Sequence, residues 1–222
     1  MINKELRNRL LSSIIIIPIT LFFIIKSSFY FFIFLTIFFL LVSFEWIKMS
    51  KTFLIRVIGI LYLFLATYLI YLLRISFPLE IFLMILIICI FTDIGGYTFG
   101  KIFKGPKLTK ISPKKTYSGV IGSFVFSLIA TIIFIKNFSF ISFSSIDTSS
   151  ELINSFRLEE ISIFFILFIS LISQAGDLII SYFKRLAKIK DTGNLLPGHG
   201  GLLDRVDGII FAMPISYILL IL

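Results

Sequence analysis

Seven long apolar segments, separated by short polar connections, decide what this chain can fold into. They cover roughly residues 10–25, 29–46, 54–73, 79–97, 119–135, 161–180 and 207–222. Hydrophobic residues make up 58% of the 222 residues, more than a single soluble core of this size can bury. The pattern predicts an all-α, polytopic transmembrane bundle of about seven spans. No small-x-small cleavage site follows the first apolar segment, so we expect it to remain as a membrane helix.

The distribution of basic residues predicts the orientation of this bundle. One alternating set of loops carries 17 of the 21 Lys and Arg residues, and the other set carries four. Positive residues are retained on the cytoplasmic side. The N-terminus is therefore predicted to be cytoplasmic, in an inner (plasma) membrane. The basic residues form no long stripe, so the net charge of +9 does not indicate nucleic acid binding.

Four aspartates fall at the predicted cytoplasmic edge of the membrane. Asp93 and Asp177 come late in the fourth and sixth apolar segments, and Asp204 and Asp207 come at the start of the seventh. A carboxylate at this depth is costly unless it is paired or bound to a cation. These residues are therefore candidate ligands of a divalent metal ion.

The segment from Ser181 to Asp207 combines the residue types that bind metal ions and phosphates. It continues a helix with basic residues, passes through a glycine-rich loop and then begins a second helix. Asp204 and Asp207 are three residues apart and therefore share one face of that helix. Lysine and arginine bind phosphate, and glycine amides can approach it closely. The candidates here are Lys184, Arg185, Lys190, His199, Gly200, Gly201, Asp204, Arg205 and Asp207.

A second polar stretch lies upstream. It runs from Asp93-Ile94-Gly95-Gly96-Tyr97 to Ser112-Pro113-Lys114-Lys115-Thr116. Its small residues allow the backbone to approach a ligand, and Ser112, Lys114 and Lys115 could contact phosphate.

Simpler explanations exist for each of these residues taken alone. Asp204 and Asp207 could be acidic residues at a helix start, stabilised by the helix dipole. The lysines and arginines could be the basic flank of a membrane span. His199 could be a loop residue without a role. Their predicted convergence on one face of the membrane favours a functional site.

The run S-x-x-K-R-x4-K-D-x-G-x2-L-P-x-H-G-G-L-x-D-R-x-D, from Ser181 to Asp207, resembles the long signature of the phosphatidate cytidylyltransferase (CDP-diacylglycerol synthase) family. The two upstream stretches resemble elements of that family in the same order. Two positions depart from the family pattern, because Ser118 and Ile180 stand where members usually carry an acidic residue. Both departures are expected to remove a carboxylate near the site.

The resemblance implies an enzyme that joins CTP and phosphatidate into CDP-diacylglycerol and releases pyrophosphate. It divides the chain into N-terminal transmembrane helices, 1–90, and a catalytic region, 91–222, with cytoplasmic loops 98–118 and 181–207. Magnesium, as one or two ions, is the expected cofactor. The implied metal ligands are Asp93, Asp177, Asp204 and Asp207. The implied catalytic residues are Asp177, Lys184, Arg185, His199, Asp204 and Asp207. The implied substrate-binding residues are Ser112, Lys114, Lys115, Lys190, Gly200, Gly201 and Arg205.

Other functions remain open on the sequence alone. A CTP-dependent polyprenol kinase would share a membrane site rich in Lys and Asp, and a transporter would also use charges in the membrane. A CDP-alcohol phosphotransferase is suggested by Asp204-x-x-Asp207-Gly208, but Ile209-Ile210-Phe211 follows instead of the further spaced aspartates. The oligomeric state is open, with a homodimer as one alternative.

Overall fold

A computed structural model describes residues 17–26, 28–109, 112–113, 115–142, 162–193, 195 and 200–222. This part of the chain is helical, apart from connecting segments and an isolated bridge between Lys107 and Thr116. The helices are α1 (Ile17–Lys26), α2 (Ser28–Met49), α3 (Phe53–Ser76), α4 (Leu79–Phe103), α5 (Tyr117–Ser142), α6 (Ile163–Ala187), α7 (Leu203–Val206) and α8 (Ile209–Ile221). The predicted all-α fold is confirmed.

Five helices, α2 to α6, are long and apolar enough to cross a membrane. They coincide with five of the seven predicted segments, so the chain is a multi-pass membrane protein. The two outer segments form shorter helices in the described ranges. Helix α8 has 13 residues, about 20 Å of helix, and only residues 17–26 of the first segment are described.

Local capping sets both ends of α6. The hydroxyl of Ser162 accepts a hydrogen bond from the Phe165 amide at 3.2 Å and so caps the start of α6. At its other end, Lys188 takes the left-handed conformation with φ 60° and donates its backbone N–H to the carbonyls of Lys184 and Arg185. This stop redirects the chain into the loop that leads to α7.

Helices α4 and α6 continue past the ends of the apolar segments predicted for them. They end at Phe103 and Ala187, ten residues after Asp93 and Asp177 respectively. Ten residues correspond to about 15 Å of helix. Both aspartates therefore lie well within their helices rather than at the helix ends.

The closest helix pair is α4 with α5. A Cβ atom at Gly95 would overlap the backbone carbonyl of Gly122, and one at Gly122 would overlap the side chain of Phe99. Small residues at this crossing let the two backbones touch. The crossing fixes the start of α5, and with it the α4–α5 connection, against the half of α4 that carries Asp93.

Candidate active site

A cavity of about 300 Å³ opens between α4, α5, α6 and the α4–α5 connection. The upstream polar stretch identified in the sequence lines it, and the Ser181–Asp207 segment borders it through the contacts of Ser181 and Asp207 with Asp177. Its lining residues are Thr92, Asp93, Gly96, Tyr97, Leu108, Ser112, Lys115, Thr116, Gly119, Val120, Ser123, Gln174, Asp177 and Leu178. The predicted convergence of Asp93, Lys115 and Asp177 is present in the fold.

Lys115 and Asp177 form an ion pair across this cavity. The ammonium nitrogen of Lys115 lies 2.5 Å from Oδ2 of Asp177, and 3.4 Å from the carbonyl oxygen of Gln174. Ser181 donates its hydroxyl to the other carboxylate oxygen of Asp177 at 3.2 Å. Asp93 is close enough to interact electrostatically with both Lys115 and Asp177. Each side chain of the ion pair keeps about a quarter of its surface exposed, so the pair is accessible to a ligand.

Asp207 reaches this group from the turn between α7 and α8. Its carboxyl lies close enough to that of Asp177 for the two to share a proton, and it interacts electrostatically with Asp93. Its Oδ1 also accepts the Gly208 amide at 2.9 Å. Two carboxyl groups can share a hydrogen bond only when a proton lies between them, and a divalent cation can replace that proton.

Asp204 belongs to a different network, although it is only one turn away from Asp207. Its Oδ1 accepts Lys184 Nζ at 2.7 Å. Its Oδ2 accepts the Thr192 amide at 2.7 Å, the Thr192 hydroxyl at 3.1 Å and the Gly201 amide at 3.1 Å. Burial raises the pKa of Asp204, but the hydrogen bonds from Lys184 and Thr192, with smaller contributions from the Lys184 charge and Gly201, outweigh it and hold the pKa below its usual value. Its charge is thus balanced inside the protein.

The other predicted residues lie around these two networks. Ser112 lines the cavity. Arg185 donates to the Ile189 carbonyl at 3.2 Å, and Lys190 and Arg205 are exposed. Gly200 has φ +83° and so takes a conformation that favours glycine. Lys114 and His199 lie outside the described residues.

The aspartates offer the oxygen ligands that Mg²⁺ requires, but they do not form a compact ligand set. Within the described ranges, no three His, Cys, Asp or Glu side chains meet closely enough to hold a metal ion. Instead, the ammonium group of Lys115 supplies positive charge beside Asp177. Asp93, Asp177 and Asp207 have the oxygen donors that a divalent cation takes, and they interact electrostatically with one another, but closing around an ion would require their side chains to move together.

Ser118 and Ile180, the two departures from the family pattern, have different surroundings in the structure. The Ser118 hydroxyl donates to the Lys104 carbonyl and lies 3.0 Å from the Thr116 hydroxyl, so it ties the α4–α5 connection to α5. Ile180 is 3% exposed and packs with Trp46 and other apolar residues. Its side chain lines an apolar groove that shares no residue with the cavity, although it packs in the same cluster as Leu203 beside Asp204.

Sequence reasoning missed Glu45, which is fully buried in α2 and contacts the segment between α6 and α7. A signal was present, since Glu45 is the only acidic residue of the second apolar segment and acids inside spans are functional candidates. Thr192 was also missed. Its hydroxyl lies between Glu45 and Asp204, which no spacing in the sequence predicts.

Comparison with known proteins agrees with the motifs. The sequence model of the cytidylyltransferase family matches residues 51–222. The chain is 36% identical to the phosphatidate cytidylyltransferase of Rickettsia bellii over 225 aligned residues, covering 97% of this chain and 90% of that protein. It is 40% identical to the enzymes of that name from Rickettsia felis over 146 residues, 63% of this chain, and from Bacillus subtilis over 133 residues, 59% of this chain.

Coverage of these relatives is uneven. The matched part spans 59% of the Rickettsia felis protein and 44% of the Bacillus subtilis protein. The family match includes Asp93, Lys115 and Asp177, the charged residues that line the cavity, and Asp207, which interacts with Asp177. The chain therefore belongs to the cytidylyltransferase family.

Proposed function

We propose that this protein transfers a cytidylyl group from CTP to phosphatidate, giving CDP-diacylglycerol and pyrophosphate. The observation that carries the proposal is the meeting of Asp93, Lys115 and Asp177 at one cavity, with Asp207 bonded to Asp177. Relatives named phosphatidate cytidylyltransferase, one of them matched over 90% of its length, support the choice of substrates.

The reaction needs charge neutralisation and alignment more than a covalent intermediate. A phosphate oxygen of phosphatidate attacks the α-phosphorus of CTP, so one P–O bond forms as the bond to the β-phosphate oxygen breaks. The electron pair of the broken bond leaves with pyrophosphate. The substrates together carry many negative charges in a partly enclosed site, where fixed cationic groups are more effective than in water.

Lys115 is placed to act on a substrate phosphate. Its ammonium group pairs with Asp177 in the structure, and an incoming phosphate offers it a second anionic partner at the same place. Ser112 and the glycines Gly96 and Gly119 line the same cavity. We assign them to holding substrate, with Lys190 and Arg205 binding nucleotide phosphates from the loop beyond α6.

Asp93, Asp177 and Asp207 are the residues we propose to hold Mg²⁺. When bound, the ion would neutralise the phosphates and polarise the attacked phosphorus. In this proposal Asp204 is not assigned to the metal ion. It holds Lys184 and Thr192 in place through its hydrogen bonds.

We propose that the cavity faces the cytoplasm. The 17-to-4 division of basic residues between the two sets of loops supports this orientation. Phosphatidate stays in the bilayer, whereas CTP arrives from the aqueous phase. A cavity with both polar and apolar lining residues, such as Lys115 and Leu178, suits a reaction between the two.

The proposal is tested with purified protein in mixed micelles containing phosphatidate, CTP labelled at the α-phosphate, and Mg²⁺. We expect label in the lipid fraction and one pyrophosphate released for each labelled lipid. Release of CDP, with phosphate transferred to a polyprenol, would instead identify a lipid kinase. If folded protein yields neither labelled lipid nor CDP, both the cytidylyltransferase and the lipid kinase activities are rejected.

A further inference from the structure

Glu45 is a carboxylate placed inside a membrane-spanning helix, and among the described residues no lysine or arginine forms an ion pair with it. It lies near the end of α2 and is 0% exposed. The two ion pairs found in the described ranges, Lys115–Asp177 and Lys184–Asp204, do not include it. Removing a carboxylate from water costs several kcal/mol unless hydrogen-bond donors replace the water. The donors around Glu45 therefore explain why it can be there.

All three donors come from the segment that joins α6 to α7. Oε1 of Glu45 accepts the Leu202 amide at 2.9 Å. Oε2 accepts the Leu203 amide at 2.8 Å and the Thr192 hydroxyl at 3.0 Å. Glu45 thus joins two points of this segment, one just after α6 and one at the start of α7, which are ten residues apart in sequence.

The backbone of the segment is shaped around this carboxylate. A Cβ atom at Gly193 would lie 2.7 Å from Oε1, and one at Gly201 would lie 2.7 Å from Oε2. Side chains at either position would displace Glu45. At Gly193 the atoms nearest to such a Cβ all belong to Glu45, whereas at Gly201 the Thr192 hydroxyl would be nearer still and the Gly193 amide nitrogen would lie at 2.8 Å. Glycine at these two positions therefore permits the close packing of Glu45, Thr192 and the backbone.

Thr192 connects Glu45 to the aspartates of the candidate active site. The Thr192 hydroxyl lies 3.0 Å from Glu45 Oε2 and 3.1 Å from Asp204 Oδ2, so it shares its hydrogen between them. Asp204 in turn holds Lys184 on α6. Asp207 follows Asp204 by one turn and bonds to Asp177. The order of contacts is thus Glu45, Thr192, Asp204 and then the turn that carries Asp207.

We propose that Glu45 is a positioning residue, which fixes Thr192 and the start of α7 at Leu202 and Leu203 so that Asp207 meets Asp177. Glu45 lies before residue 51, where the family match begins. The inference rests on the function proposed above. It adds that a residue of the N-terminal helices, which does not itself touch substrate, is required for turnover.

Glu45→Gln is the decisive variant, because glutamine has the same shape but replaces one acceptor oxygen by an NH₂ donor. That donor must face the amide of Leu202 or of Leu203, and neither can accept it. If Glu45 only filled space in the bundle, loss of its buried charge would be harmless or stabilising. If it positions the segment, kcat/KM for CTP should fall at least tenfold, roughly 1.4 kcal/mol, while the protein stays monodisperse and still unfolds in one cooperative transition.

A double-mutant cycle separates positioning from general damage. Thr192→Val removes the shared hydroxyl, and the Glu45→Gln/Thr192→Val protein should be little worse than Glu45→Gln alone, since both changes break one contact. Ser43→Ala is the control, because Ser43 is buried on the same helix and lies outside this contact. It should keep wild-type kinetics.

Limited trypsin digestion gives a readout that does not depend on activity. Lys190 is exposed next to the fixed segment, and Glu45→Gln should speed cleavage there while Ser43→Ala should not. Faster cleavage together with an inactive wild-type protein would reject the proposed function but keep the positioning role. An active wild type with Glu45→Gln within threefold of it, additive effects in the cycle, or a collapsed Tm would overturn the inference.

Discussion

Lys115 and Asp177 face each other across the cavity with 2.5 Å between ammonium nitrogen and carboxylate oxygen. Lys115 belongs to the connection between α4 and α5, whereas Asp177 belongs to α6. The pair therefore brings together two stretches that are far apart in the sequence. Both side chains are partly exposed. An anionic ligand can therefore replace Asp177 beside Lys115, and a cationic ligand can replace Lys115 beside Asp177.

The first prediction concerns Lys115. Lys115→Met should lower kcat/KM at least a hundredfold, about 2.7 kcal/mol, because a phosphate then loses its cationic partner and Asp177 is left unpaired. Steady-state assays with CTP and phosphatidate measure this effect. Lys101→Met is the matched control, since Lys101 lies over the ring of Tyr97 and is exposed. Equal losses in the two variants would contradict the assignment.

The second prediction separates the aspartates by their contacts. Asp177→Asn and Asp207→Asn should both abolish turnover. Asp207→Asn should keep or raise Tm in metal-free detergent, because it removes one of several mutually repelling carboxylates, whereas Asp177→Asn gains no such stability because it also leaves Lys115 without its anionic partner. Asp204→Asn should lower Tm, because it breaks the bond to Lys184 and weakens those to Thr192 and Gly201. Thermal unfolding in detergent, followed alongside turnover, measures both. An unchanged Tm in Asp204→Asn would mean that its network is not structural.

These contrasts show where sequence reasoning succeeds and where it stops. The apolar segments predicted α2 to α6, and the motifs placed Asp93, Lys115 and Asp177 at one site although Asp93 and Asp177 are 84 positions apart. Spacing alone put Asp204 and Asp207 on one helix face. In the structure, α7 is only four residues long and each acid takes the nearest available donors, which sequence spacing does not specify.

The third prediction concerns pH. The pKa of Asp204 is held below its usual value. The folded protein therefore stabilises the ionised carboxylate relative to the unfolded protein. Its stabilising contribution is complete above the unfolded pKa, about 3.9, and is lost as pH falls through the folded pKa. The Tm gap between wild type and Asp204→Asn should therefore be constant near neutral pH and close below about pH 4. Asp191→Asn, at an exposed acid of the same segment, should show no such gap, and a gap that persisted under acid conditions would argue against an ionic role.

The fourth prediction concerns Ser118. Restoring an acid with Ser118→Glu should leave turnover unchanged or raise it, because position 118 lies in the first turn of α5, which has no acidic residue, and the helix dipole favours one there. Ser118→Ala controls for the lost hydroxyl bond to Lys104. A loss of more than about tenfold in Ser118→Glu alone would show that this protein depends on a neutral residue here.

The fifth prediction concerns orientation. In a Cys89→Ser background, a cysteine at Leu195 should react with impermeant maleimide only from the cytoplasmic side, and a cysteine at Ser145 only from the opposite side. Leu195 is exposed, and Ser145 lies in the sequence between α5 and α6. Labelling in oriented membrane vesicles distinguishes the two sides. Reaction of both positions from one side would reject the proposed topology.

The glycine contact between α4 and α5 limits how this cavity can change during evolution. Gly96 and Gly119 line it, and a Cβ atom at Gly96 would lie 2.8 Å from the Ser123 hydroxyl, whereas one at Gly119 would lie 2.8 Å from the Gly96 carbonyl. At these two positions the wall is therefore main chain, and a side chain larger than hydrogen there would press the helices apart. Changes in substrate preference are easier at lining side chains that do not sit at this contact, such as Leu108 and Leu178. A directed search for altered nucleotide or lipid choice should begin with those two residues.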